Sequence, residues 1–235
     1  MTIIYLGFSS SCVETFTKRP DVPVSFLTTC PTVNQWERHA ANLNVDKLCL
    51  DSGAYTVFNS GKEYKYADWL KVAKKFDCDE IFALDVIGDP KASWDNYQRA
   101  IADDVDVIPT FHIGEPWSYL NEMKKVAPKI ALGVAQQRGR RRDRFFRECI
   151  SRIWPHKIHA FGITNPMLCS EYPFHSIDST TWSLAPSKFG RYTGFTGNQI
   201  NLRSRNITDL WVEVEHFLKM ERFLKSRWKN ELAKL

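Results

Sequence analysis

The sequence predicts an α/β chain of the (β/α)8 TIM-like barrel class, a single domain finished by a long C-terminal helix. Three observations predict it. Eight short apolar runs recur along 235 residues, most of them continuous, as parallel strands covered on both faces require. Segments with apolar positions three and four apart lie between them. The runs end on acids, a histidine and glycines, and a barrel of this kind gathers its chemistry where strands end. An open doubly wound sheet is the competing arrangement. The chain carries no glycine-rich dinucleotide fingerprint and no P-loop signature, so neither of those phosphate sites is indicated.

In order, the predicted strands are TIIYLGF (2–8), VSFLTT (24–29), KLCLDSG (47–53), EIFALDV (80–86), VIPTFHI (107–113), KIALGVA (129–135), KIHAFGIT (157–164) and FHSIDSTT (174–181). Helical spacing marks 34–42, 66–76, 91–103, 116–126 and 140–154. In 208–234 the residues Leu210, Val214, Phe217, Leu224, Trp228 and Leu232 fall on one amphipathic stripe, with Thr208 as a candidate N-cap. Residues 9–23 read as loop, and the 165–173 link is too short for a full helix. The segment 183–206 is loop-rich and basic, and is expected to lie over one face of the barrel. No internal repeat, low-complexity segment or domain boundary stands out.

Hydrophobic residues make up 43% and charged residues 25%, the balance of a soluble globular protein. No apolar run approaches membrane-spanning length. The opening MTIIYLGFSSSC lacks a basic leader before its apolar run, so it does not read as a signal peptide, and a cytoplasmic setting is expected. Six cysteines stand apart from one another with no C-x-C or C-x-x-C pair, which argues for reduced thiols rather than a zinc site. His156 and His159 are three apart on a predicted strand, where such positions face opposite sides, so they make a poor ligand pair. No metal and no cofactor is expected. The net charge of +5 is modest, but Arg138, Arg140, Arg141, Arg142, Arg144 and Arg147 fall within ten residues. Such a run is ordinarily a solvated helix face.

The strand ends carry the candidate chemistry. Asp51 ends strand three, Asp85 strand four and His112 strand five. Gly133 and Gln136 end strand six, Gly162 strand seven and Asp178 strand eight. Each has a structural explanation by itself: an Asx-turn for Asp51, a helix cap for Asp85, a satisfied core histidine for His112. Jointly they are harder to dismiss. Three carboxylates closing apolar strands must each be partly desolvated, which is costly without a partner or a ligand.

The run Asp51-Ser52-Gly53-Ala54-Tyr55 resembles the Asp-Ser-Gly-Gly-aromatic motif of the tRNA-guanine transglycosylases. Asp85, in ALDV, resembles the aspartate with which that family reads the guanine edge, and Asp178 resembles its nucleophile in position. The turn Gly162-Ile163-Thr164-Asn165-Pro166 is similar to the family's Gly-Val-Gly-Thr-Pro. The chain departs from the tRNA enzymes in being much shorter, in lacking their cysteine-histidine zinc site and in carrying Thr56 where they have Gln. Gly133-Val134-Ala135-Gln136 resembles their Val-Gln-Gly turn one strand late, or else their Gly-Gly-Leu turn. Thr180-Thr181-Trp182 replaces the Pro-Thr-Arg after their nucleophile. This combination resembles the compact phage-type relatives that exchange guanine for a 7-deazaguanine in DNA.

That resemblance implies a cofactor-free exchange of one N-glycosidic bond for another, with a preQ0-like base as co-substrate. Asp178 would attack C1′ and form a covalent glycosyl-enzyme, and a second displacement would restore configuration, as in retaining glycosidases. Asp51 would protonate the departing base and deprotonate the incoming one. Ser52 and Gly53 would let backbone approach the ligand, and Tyr55 would stack on it. Asp85 would accept from the ring N–H and exocyclic amine of guanine. His112, Gln136 and backbone near Gly133 would answer its carbonyl, and Gly162 would line the slot. Arg138, Arg140, Arg141, Arg142 and Arg144, with Lys188, Arg191, Arg203 and Arg205, would track the phosphates. The remaining readings are tRNA as substrate, a nucleoside hydrolase or deoxyribosyltransferase-like barrel, and a nucleic-acid-binding barrel without catalysis. Dimerisation is left open.

Overall fold

The computed structural model describes residues 2–60, 64–134, 137, 139–163, 165–184, 191–193, 199–201 and 210–233. Its eight principal strands are β1 (Ile3–Gly7), β2 (Val24–Thr29), β3 (Val45–Asp51), β4 (Glu80–Ile81), β5 (Thr110–His112), β6 (Lys129–Gly133), β7 (Lys157–Ala160) and β8 (Ser176–Ser179). They form one sheet in the order β4-β3-β2-β1-β8-β7-β6-β5. A parallel bridge, Phe82↔Ile108, joins the chain beyond β4 to the segment entering β5. Each strand thus neighbours its sequence neighbours and the eighth neighbours the first, which is the (β/α)8 TIM-like succession. All eight predicted strands are present.

The chain divides into two compact units. The first comprises Met1–Leu27, Asn34–Lys47 and Gly162–Leu235; the second comprises Thr28–Val33 and Leu48–Phe161.

In the first unit β1 is buried throughout. It pairs in parallel with β2, Leu6 opposite Phe26, and with β8, Tyr5 opposite Asp178. Residues 9–23, expected as loop, instead contain a 3-10 turn (Ser10–Cys12) and the helix α1 (Val13–Thr17). A five-residue helix does not stand alone in water. Phe16 anchors this one, its ring 4.8 Å from Phe26 and 5.1 Å from Trp182. The link after β7 holds α8 (Pro166–Glu171), capped by Asn165, whose side chain accepts from the N–H groups of Met167 and Leu168.

The long C-terminal helix runs Trp211–Arg227, followed by a turn of helix at Lys229–Leu232. Val214, Phe217, Leu224 and Leu232 of the predicted stripe are buried. Thr208 lies outside the described residues, and Leu210 occupies the N-cap position with no side-chain cap. Glu221 turns from the helix to β1, where its Oε2 accepts from the Ile4 N–H at 2.8 Å. Part of the segment expected as loop, 183–206, is a small antiparallel pair, β9 (Arg191–Thr193) with β10 (Gln199–Asn201).

In the second unit β3 meets β4, Leu50 opposite Ile81, and β6 meets β5 and β7, Gly133 opposite His112. Of α2 (Val33–Glu37) only Val33 belongs to this unit, and the rest to the first; the other helices are α3 (Ala54–Ser60), α4 (Tyr66–Ala73), α5 (Pro90–Ala102), α6 (Trp117–Val126) and α7 (Arg140–Ile153). α3 was not anticipated. β4 is shorter than the predicted 80–86 because α5 takes over its backbone partners. Asn96 donates to the Leu84 carbonyl at 3.0 Å, and the Ser93 hydroxyl accepts from the Val86 N–H at 2.8 Å. These bonds hold the chain on either side of Asp85.

The six cysteines are free, five of them buried, as expected of reduced thiols. His156 bonds two carbonyls, those of Ile153 and Lys124. His159 is buried with its ring 4.6 Å from Phe82 and 4.5 Å from Phe161. No cluster of potential metal ligands occurs among the described residues. Nor is any described helix long and apolar enough to cross a membrane.

Candidate active site

In the second unit, residues just beyond β3, β4 and β5 bond to one another. The turn after β3 comes first. Asp51 Oδ2 accepts from the Gly53 N–H at 3.1 Å, the Asx-turn the sequence suggests. Gly53 has φ +82°, and a Cβ there would lie 2.6 Å from Pro31 Cδ. Both the left-handed backbone and the close approach require glycine. The chain then enters α3, where the Ser52 hydroxyl accepts from the Ala54 N–H at 3.1 Å and donates to Asp85 Oδ1 at 2.7 Å. Ser52 therefore ties the start of a helix to the second carboxylate. Tyr55 and Phe58 stand on the same helix, 47% and 61% exposed.

Asp85 does not cap α5; Asp89 does, accepting from the Ala92 N–H at 2.9 Å. Asp85 instead faces His112, its Oδ2 2.9 Å from Nε2, and the two side chains are only 10% and 9% exposed. The other ring nitrogen, Nδ1, lies 3.0 Å from Glu115 Oε1. Glu115 Oε2 accepts from the His112 backbone N–H at 2.9 Å. The sequence His112-Ile113-Gly114-Glu115 folds this way locally. Gly114 has φ +97°, and the Glu115 N–H returns to the His112 carbonyl at 3.2 Å. A glycine at the third turn position permits this turn, which brings the glutamate back over the histidine.

Burial alone would pull the imidazole down. Hydrogen bonds to Asp85 and Glu115, with the charges of both, outweigh it and push His112 up to about 10. That direction favours an imidazolium between the two carboxylates. Gly133 makes room for it, since a Cβ there would fall 2.4 Å from His112 Cδ2. A carboxylate offers about four lone-pair sites, so Asp85 retains acceptor capacity on each oxygen after bonding Ser52 and His112.

Cys30 also belongs to this neighbourhood. Its thiol is pushed up by burial, then by the charge of Asp51, so it is held neutral beside that carboxylate.

In the first unit Asp178 ends β8 with 7% of its surface exposed. Its Oδ1 accepts from the Gly162 N–H at 2.8 Å. Gly162 has φ +64° and nothing near its absent Cβ, so glycine is there for backbone conformation that aims the N–H at the carboxylate.

Of the predicted site residues, the structure joins Ser52, Asp85 and His112 in one chain of hydrogen bonds, with Gly133 against the imidazole. It places Asp51 with Gly53, and Asp178 with Gly162. Gln136 and Arg138 lie outside the described residues, as do Lys188, Arg203 and Arg205; Arg191 is described only as part of β9. Arg140, Arg141, Arg142, Arg144 and Arg147 are on α7. Arg144 pairs with Glu148 and Arg142 meets Asp143. Among the described residues Arg140, Arg141 and Arg147 have no acidic partner. Arg140, Arg141 and Arg142, in the first turn of α7, oppose its dipole, an arrangement that costs stability and leaves positive potential for an anion. Sequence reasoning missed Glu115. Its signal was the spacing of His112, Gly114 and Glu115, a turn-forming glycine with an acid three residues after a histidine.

No family model and no curated protein matches the chain. A chain of the tryptophan synthase a2b2 complex from the hyperthermophile Pyrococcus furiosus superposes with a TM-score of 0.47 at 11% identity, over 100% of this chain and 98% of that one. So distant a likeness says nothing of chemistry.

Proposed function

We propose that the chain is a DNA base-exchange transglycosylase that replaces guanine with a 7-deazaguanine through a covalent intermediate on Asp178. One observation carries this reading: the Asp85 carboxylate, nearly buried and pinned by His112, is hydrogen-bonded directly to Ser52 of the Asp51-Ser52-Gly53 motif. A fixed acceptor group matches the two adjacent donors of a guanine edge and mismatches adenine, whose ring nitrogen is itself an acceptor.

The roles follow from the chemistry. Asp178 attacks C1′ as the bond to guanine breaks, and Asp51 delivers a proton to the departing base. The incoming base gives its ring proton to Asp51 and displaces Asp178, so bonds and protons balance with no further reactant. The Gly162 N–H orients the attacking carboxylate. Tyr55 offers a ring to the base, and stacking of this kind is worth ~1–3 kcal/mol. Arg140, Arg141, Arg142, Arg144 and Arg147 suit a polyanion, and their contribution to binding falls as salt rises. The target base must leave its stack to be read, at a cost of a few kcal/mol.

The test is exchange itself. Labelled guanine or a 7-deazaguanine is incubated with the protein and duplex DNA, single-stranded DNA or tRNA, and the nucleosides are analysed by mass. A denaturing gel reports any covalent adduct. Incorporation into DNA with an adduct that disappears in Asp178→Asn is the expected result. Exchange into tRNA alone rejects DNA as substrate, release of free base without incorporation makes the protein a hydrolase, and an adduct that survives Asp178→Asn removes that residue as nucleophile.

A further inference from the structure

Glu115 has no place in the reaction as written, yet its side chain is only 6% exposed and both its oxygens are turned on one residue. Burying a carboxylate is costly unless it is paired. The pair it makes does not end at His112, because the opposite ring nitrogen meets Asp85. We infer that Glu115 is a positioning residue which, acting through His112, fixes the plane and the charge environment of Asp85 and thereby sets the protein's affinity for its base. This rests on the base-exchange reading and adds to it a residue that touches no substrate.

The physical case has three parts. First, among the described residues the charged groups facing the imidazole are Asp85 from beyond β4 and Glu115 from the turn after β5; Gly133 of β6 contributes none. Two anions and one cation hold together only while the ring keeps both protons. Second, without the Glu115 carboxylate the ring has one counter-charge instead of two, and its burial favours the neutral form. A neutral ring carries one N–H, and it can then present a lone pair to Asp85 Oδ2 in place of a donor. Third, Asp85 has a second anchor in Ser52, but that bond fixes only Oδ1. Losing the Oδ2 anchor frees the carboxylate to rotate, so the two acceptor directions no longer match two donors on a flat base.

The experiment uses the full chain and two readouts. In the first, imidazole nitrogens are followed by NMR against pH, with the His112 signals identified by their loss in His112→Gln. The expected result is doubly protonated His112 through pH 8 in the native protein. In Glu115→Gln its titration moves at least one pH unit lower, and Glu115→Asp restores part of the shift. In the second, guanine exchange is measured for the same proteins. KM for the base is expected to rise about tenfold in Glu115→Gln with a smaller change in kcat, the loss growing as pH rises, and with partial rescue in Glu115→Asp. A neutral His112 at pH 8 in the native protein overturns the inference whatever the variants do. So does a Glu115→Gln protein whose titration or KM is unmoved. If the titration shifts as stated but no protein exchanges base in DNA or tRNA, the coupling of Glu115 to His112 stands and the base-exchange reading falls, taking the effect on base affinity with it.

Discussion

Two groups of charge lie at the entry and exit ends of strands in the second unit, and they are built differently. At the entry ends, Lys129 of β6 reaches across to Glu80 of β4, its Nζ 2.7 and 2.6 Å from the two carboxylate oxygens. Beyond the exit ends, His112 stands between Asp85 and Glu115 with Ser52 on the far side. The entry pair is closed: one cation uses both oxygens of one anion. Burial pulls the Lys129 ammonium down, and the Glu80 carboxylate is the main group that resists it. The exit group has two carboxylates for one cation and keeps acceptor capacity. A closed pair is a structural element, whereas an unbalanced one at the rim of parallel strands is suited to a ligand that brings donors.

The largest effect is expected at the exit group. Asp85→Asn replaces an acceptor-only carboxylate with an amide that presents one acceptor and one donor. Two charged hydrogen bonds at ~1.5–3 kcal/mol each are at stake, so kcat/KM for guanine exchange falls by roughly 10²–10⁴-fold. If adenine is then accepted in place of guanine, the comparison is sharpened; if exchange of guanine is undiminished, Asp85 is not the reader.

At the entry pair the expected loss is of stability alone. Glu80→Gln leaves Lys129 buried without its counter-charge, and breaking a buried pair costs ~3–5 kcal/mol. Urea unfolding measures it. Replacing both partners with Leu and Met should recover most of the loss, and the folded fraction of either variant should exchange base at the native rate. Loss of exchange in a fully folded double variant would erase the distinction between the two ends.

How much of this was legible in the sequence follows from the range of the interactions involved. The strands were readable because burial on both faces leaves continuous apolar runs, and Asp51, Asp85, His112 and Asp178 were readable because polar residues close those runs. The end of β4 was not, because Asn96 and Ser93, from a helix ten residues on, decide where backbone pairing stops. α1 was not, because one aromatic, Phe16, holds it through tertiary contacts. The partners of Asp85 were hidden for the same reason: Ser52, Asp85 and His112 come from three separate parts of the chain, and no local pattern announces their meeting. Glu115 was the exception, local enough to be found from its glycine turn. Gly133 carried its message in a spatial contact with His112, which the sequence shows only as a glycine after an apolar run.

The smallest effect separates the two ends by pH. The folded value of His112, about 10, lies above the ordinary imidazole value of ~6.5. Its protonation therefore contributes stability that is fully present below ~6.5, declines as pH rises, and is gone above about 10. The slope is at most about 1.4 kcal/mol per pH unit, so between pH 7 and 8 the change is that size or less. The difference in unfolding free energy between the native protein and His112→Gln should shrink steadily across this window. In Glu115→Gln the decline should begin at the same pH, set by the unfolded imidazole, and end at lower pH, since one of the two carboxylates that raise the folded imidazole is gone. A difference that stays level from pH 6.5 to 10 would mean that His112 folds neutral. The exit group would then be two carboxylates without a cation, and its contrast with the Lys129–Glu80 pair would have to rest on something other than charge.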